Sequence, residues 1–151
     1  MNKFVFKLEP LYDYRQRLQE ICQKEFGEAQ RKLDEEEAKL ETLREVYRKA
    51  SSDIDGLKEK GARFDEIDLY YSYATGLKKH ISDQDKLIKR TRQALEVKRG
   101  ELLEASKKKK VIEVMKEKSL NSYIETSNKE EQKISDDIVS SRFNRGVEHE
   151  K

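Results

Sequence analysis

The segment Ser51-Ser-Asp-Ile-Asp-Gly-Leu-Lys-Glu-Lys-Gly61 interrupts two long helical patterns, and the architecture turns on that interruption. Before and into it, Leu40, Leu43, Tyr47, Ala50, Ile54 and Leu57 are spaced 3, 4, 3, 4, 3. That is the a/d spacing of a helix that buries one seam. Further upstream Leu18, Cys22, Phe26, Ala29 and Leu33 run 4, 4, 3, 4, a local stutter in the repeat. After it, Leu77, Ile81, Gln84, Ile88, Thr91, Leu95, Lys98, Leu102, Ala105, Lys109 and Ile112 alternate 4 and 3. Gly56 and Gly61 supply the positive φ that a helix end and turn require, and Asp65 is placed as the next N-cap. The single proline, Pro10, suits a first helical turn, where its missing N–H would be unpaired anyway.

The expectation is all-α: two long helices forming an antiparallel coiled-coil hairpin, with the second helix longer and overhanging. One hairpin takes up residues 1–151, with helix 1 over about 9–55, the turn over about 56–64 and helix 2 over about 65–144. Folding about residue ~60 sets Leu43 opposite Leu77, Tyr47 opposite Tyr73 and Ala50 opposite Tyr70. Tyr73 is then a core residue, and His80 faces the seam. The acidic run Asp34 to Glu37 falls near Lys86, Lys89, Arg90 and Arg92. At 1.5 Å per residue the helices measure ~70 and ~120 Å. Roughly 30 residues, Val114 to Phe143, are thereby left without a partner in the hairpin, yet they carry apolar residues.

Composition agrees. The 151 residues are 42% charged and 34% apolar, too few apolar for a thick, round core. Thirty-three Lys and Arg against 31 Asp and Glu leave +2, which is neither an acidic tail nor a strongly basic nucleic-acid protein. No apolar run is long enough to cross a bilayer, and the opening residues hold none of signal-peptide length. One cysteine, Cys22, excludes an intrachain disulfide, fits a reducing compartment, and reads as a small buried residue on the seam.

Candidate chemistry is sparse. Gly56-Leu-Lys-Glu-Lys-Gly61 spells half a phosphate loop, but Ala62 and Arg63 stand where Lys and Ser or Thr are required. Asp53 and Asp55 open a calcium-loop pattern that Lys58 and Phe64 break. His80 and His149 lie far apart, and no nucleophile–base pair is present. We therefore expect neither catalysis, metal nor cofactor. Lys107-Lys-Lys-Lys110 is either a solvated helical face or a docking surface for an acidic protein. Phe64, Tyr70, Tyr71 and Tyr73 cluster past the turn, and at least one tyrosine must point outward.

Lys3-Phe-Val-Phe-Lys-Leu-Glu-Pro-Leu11 resembles the F-x-L-x-P-L type opening of the FliJ proteins, flagellar type III export chaperones. Glu104-Ala-Ser-Lys-Lys-Lys-Lys-Val-Ile-Glu113 is similar to segments of the same family, as is Glu131-Gln-Lys-Ile-Ser-Asp-Asp-Ile138 followed by Arg142-Phe143. Asp137 stands where the family more often has Glu, and the seam is richer in polar residues than in some relatives. The resemblance implies a non-enzymatic component of the export apparatus at the cytoplasmic side of the inner membrane, at the flagellar base. Its implied partners are the hexameric export ATPase, bound like a stalk and helped to assemble, the cytoplasmic domain of the export gate membrane protein, and export chaperones. No nucleic acid and no membrane insertion are implied.

By the same resemblance the export-gate interface maps to Lys39, Leu43, Val46, Ala50, Tyr70, Tyr73, Leu77, His80 and Gln84. The ATPase interface maps to Leu8, Leu11 and Tyr14, to Lys107, Lys108, Lys109 and Lys110, and to Glu131, Lys133, Ile134, Ile138 and Phe143. The alternative reading is a generic structural coiled-coil scaffold or dimerisation rod. A small nucleic-acid binder using the lysine run is a further one.

Overall fold

The computed structural model describes residues 3–149. It contains two helices, α1 (Glu9–Glu59, 51 residues) and α2 (Phe64–His149, 86 residues), joined by a short turn into a helical hairpin. The chain divides into two units, Gln19–Glu104 and Met1–Leu18 with Ala105–Lys151.

The turn forms because α1 closes on a specific hydrogen-bond pattern. Ala62 N–H donates to the Leu57 carbonyl (3.0 Å) and Gly61 N–H to the Lys58 carbonyl (3.2 Å). This is a Schellman end, with Gly61 at φ +67° as the left-handed residue. Gly56 does not share that role. It is helical, and Gly61 is the one residue with positive φ among those described. The turn is accordingly shorter than expected, with α1 continuing to Glu59. Nor is Asp65 the N-cap. The Arg63 carbonyl accepts from Glu66 N–H (3.1 Å) and Ile67 N–H (3.2 Å), so Asp65 lies inside the first turn. There, with Glu66, its charge complements the helix dipole.

Within the unit Gln19–Glu104, Leu33, Leu40, Ile88 and Leu95 form a buried cluster, with Phe26, Ala29 and Ile81 packed against it. Burial of such side chains is worth about 1.5–3 kcal/mol each. The expected seam is realised along its whole length. Every α2 seam residue from Leu77 to Ile112 is buried or half-buried, and so is every α1 seam residue from Leu18 to Leu57. Cys22 is half-buried on it.

The expected register holds at mid-seam, where Gln84 Nε2 donates to the Glu36 carbonyl across the helices (2.9 Å), but close to the turn different side chains fill it. Lys78 Nζ lies 5.7 Å from the Tyr47 ring, where Tyr73 was expected. Tyr73 is 53% exposed and Tyr70 37%, so neither fills the core. Small Ala74 is buried instead, as is Ala50. His80 is also exposed rather than facing the seam. Of the charge pairing, Arg92–Glu37 forms (3.0 Å), whereas Glu36 turns inward.

The other unit corrects the length mismatch. Residues 3–8 precede α1 as a non-helical strap that packs along α2. Phe6 is buried, and the Phe4 ring packs at a 48° tilt against Tyr123 with centroids 5.6 Å apart. The strap meets α2 as far as Tyr123, and the last half-buried residue of α2 is Ser127. The bare segment therefore starts after Ser127 rather than at Val114, and every residue from Asn128 to Gly146 is exposed.

Candidate interaction surfaces

Among the described residues no cluster of three or more His, Cys, Asp or Glu could hold a metal ion. No helix among them is long and apolar enough to cross a membrane. The features that remain are surfaces, and each belongs to one unit.

In the unit Gln19–Glu104 the surface beyond the turn is apolar and aromatic. Phe64 is 79% exposed and Leu69 71%, and Leu69, Tyr70, Ser72 and Tyr73 line a shallow depression. Phe64, Leu69 and Tyr73 cannot reach the seam because they lie off the helix face that carries Ala74, Leu77 and Ile81. Tyr71 is held by Lys58, whose Nζ lies 5.0 Å from the ring centroid.

Nine residues of this unit were mapped to the export gate. Lys39, Leu43 and Gln84 meet around one groove with Ala38 and Thr42. Tyr70 and Tyr73 line the other depression. Lys39 and His80 are exposed, and Val46 is half-buried. Ala50 and Leu77 belong to the buried core. Gln84 is already engaged: its Nε2 donates to the Glu36 carboxylate (2.6 Å) and to the Glu36 carbonyl (2.9 Å).

Glu36 is the residue that sequence reasoning missed. It is 2% exposed, lying between Leu33 and Leu40 at seam spacing. The Gln84 hydrogen bond, seconded by Lys39 (3.2 Å), holds its carboxyl below the usual carboxylate range against the desolvation that opposes it. Its 3-then-4 spacing from the two leucines was the available signal, hidden by the surrounding acidic run.

In the unit Met1–Leu18 with Ala105–Lys151, Leu8 and Leu11 are half-buried and Tyr14 is exposed. Lys107, Lys108 and Lys110 are exposed. Lys109 is half-buried, its Nζ 6.0 Å from the Tyr12 ring centroid. Lys116 approaches the same ring to 5.1 Å and pairs with Glu9 at 2.8 Å. The hydrogen bond to Glu9 holds the Lys116 ammonium above its ordinary range. Glu131, Lys133, Ile134, Ile138 and Phe143 are all exposed, and Val139 joins them at 63%. Ile134 with Ile138 share one side of α2 and Val139 with Phe143 another, nearly opposite one, each pair being spaced four apart.

A family model described as "Flagellar FliJ protein" matches residues 4–148. No curated protein and no solved structure matches the chain.

Proposed function

The chain belongs to the flagellar FliJ family and is a component of the flagellar export apparatus; from that premise we propose that it is a non-enzymatic adaptor for the export ATPase. The carrying observation is the exposed stretch Asn128–Gly146 of α2, which presents Ile134, Ile138, Val139 and Phe143 to solvent. Exposed apolar side chains grouped on a helix are ordinary anchors for a protein partner. In this reading the α2 end enters the ATPase hexamer as a stalk and promotes its assembly. Leu8, Leu11, Tyr14 and the lysines 107–110 border that contact.

The depression around Tyr70 and Tyr73, with Lys39 and His80, then serves the cytoplasmic domain of the export gate, and export chaperones are further partners. Ala50 and Leu77 act there through packing, since both are buried. The adaptor works on the cytoplasmic side of the inner membrane, at the flagellar base. Isothermal titration of the full chain with the purified export ATPase tests this. Replacing Ile134, Ile138 and Phe143 by Ser removes binding while the helical signal of the hairpin persists. Unchanged affinity moves the contact elsewhere.

A further inference from the structure

The strap and α2 together enclose an open groove of about 870 Å³ in the unit Met1–Leu18 with Ala105–Lys151. Its floor is apolar, from Phe4, Val5, Phe6, Leu8 and Met115. Val5 is 77% exposed, so part of this apolar lining is open to an incoming chain. On α2 the lining residues Met115, Lys118, Ser119, Ser122, Tyr123 and Thr126 recur at 3, 1, 3, 1, 3 and so occupy one helical face. Lys3, Lys7 and Lys118 stand around the groove, and no Asp or Glu lines it. Glu117 and Glu125 lie on other faces of α2, and Glu9 is occupied by Lys116. None of the three lysines is in an ion pair among the described residues.

We propose that this groove is a docking site for an acidic amphipathic helix of a protein partner. The occupant follows from complementarity. An apolar floor wants an apolar helical face, and a ring of uncompensated lysines wants carboxylates at its margins. A flat lipid surface cannot enter a concavity, and a phosphate backbone gains nothing from Val5 and Met115. The site is separate from the ATPase reading, because Leu8 is the one residue that the two surfaces share.

The test uses the full chain and a fluorescein-labelled peptide of about 18 residues, five helical turns, with one Leu face and one Glu face. A twin peptide carries Gln for Glu. Anisotropy should show the Glu peptide bound at least about tenfold more tightly than its twin, with affinity falling as salt rises. The K3E/K7E/K118E variant should lose that preference. Ser122→Trp, which fills the groove without changing charge, should weaken both peptides. Equal binding of the two peptides, binding of neither, or undiminished binding by both variants overturns the proposal. Capture of vesicles about one-third phosphatidylglycerol, with the peptides ignored, overturns it in favour of a lipid. Circular dichroism of each variant shows whether it keeps its helices, which separates groove loss from unfolding.

Discussion

Gly61 and Gly56 look alike in the sequence and do opposite things. At φ +67° Gly61 holds a conformation that strains any residue with a Cβ. Gly61→Ala should destabilise the hairpin by about 1–2 kcal/mol. Gly56 is helical, and an added Cβ meets nothing within 4 Å. Gly56→Ala should therefore stabilise it, by about 0.5–1 kcal/mol. Urea midpoints of the two variants check both signs together. Two glycines five residues apart mark a helix end clearly, but the one that takes the left-handed turn depends on where the Schellman hydrogen bonds close. Spacing alone carries no such information.

Glu36 and Gln84 form the polar layer of the seam. A carboxylate this enclosed depends on its donor, so Gln84→Leu should lower the melting temperature by several degrees. The double change of Glu36 and Gln84 to Leu should recover most of that loss, because an apolar pair no longer needs hydrogen bonds. Acid tests the same contact. Glu36 has a depressed carboxyl in the folded chain, so its contribution is complete above the ordinary glutamate pKa. It fades as pH falls through the folded value, where the proton finally binds. The stability gap between the native chain and Glu36→Gln should accordingly close as the solution is acidified below the ordinary glutamate range. A gap constant with pH would show that the carboxylate is not what Gln84 stabilises.

The two helices were legible because seam spacing survives a high charge content. All the quoted seam positions on α1 and α2 are buried or half-buried. Which α2 residues fill the seam just past the turn was less legible, since Ala74, Tyr73 and Tyr70 stand three, four and seven residues before Leu77 and fit the same spacing. Tight packing chose the alanine, which sequence reasoning had no means to rank. The strap was missed for another reason. Phe4 and Phe6 precede the proline that starts α1, so neither belongs to any helical period. Burial of Phe6 predicts that Phe6→Ala costs about 3 kcal/mol, near the low end for a phenylalanine. Stopping the chain after Ser127 should leave the thermal midpoint unchanged within a degree or two, since no residue from Asn128 to Gly146 is buried. A midpoint that falls with the truncation would mean that the α2 end supports the hairpin.

The whole chain is highly charged yet nearly neutral, and a cross-helix ion pair as exposed as Arg92–Glu37 adds little stability, while Lys98–Glu25 and Lys116–Glu9 are half-buried. Their sign pattern guides pairing, while a narrow apolar seam supplies the energy. Such an economy leaves apolar side chains over for partners, beyond the turn and along the end of α2. Family membership spans nearly the full sequence and was readable from the strap motif and the Glu131–Phe143 segment. Which surface meets which partner was not readable, because Ala50 and Leu77 share their spacing with the exposed residues mapped beside them. The proposed engagement of the export ATPase by the exposed α2 end is open to direct test. The deciding measurement is ATPase oligomerisation and turnover with increasing full chain or chain ended after Ser127. The full chain should promote hexamers and raise turnover, while the shortened chain should do neither at any ratio. Equal stimulation by both, or by neither, would contradict it.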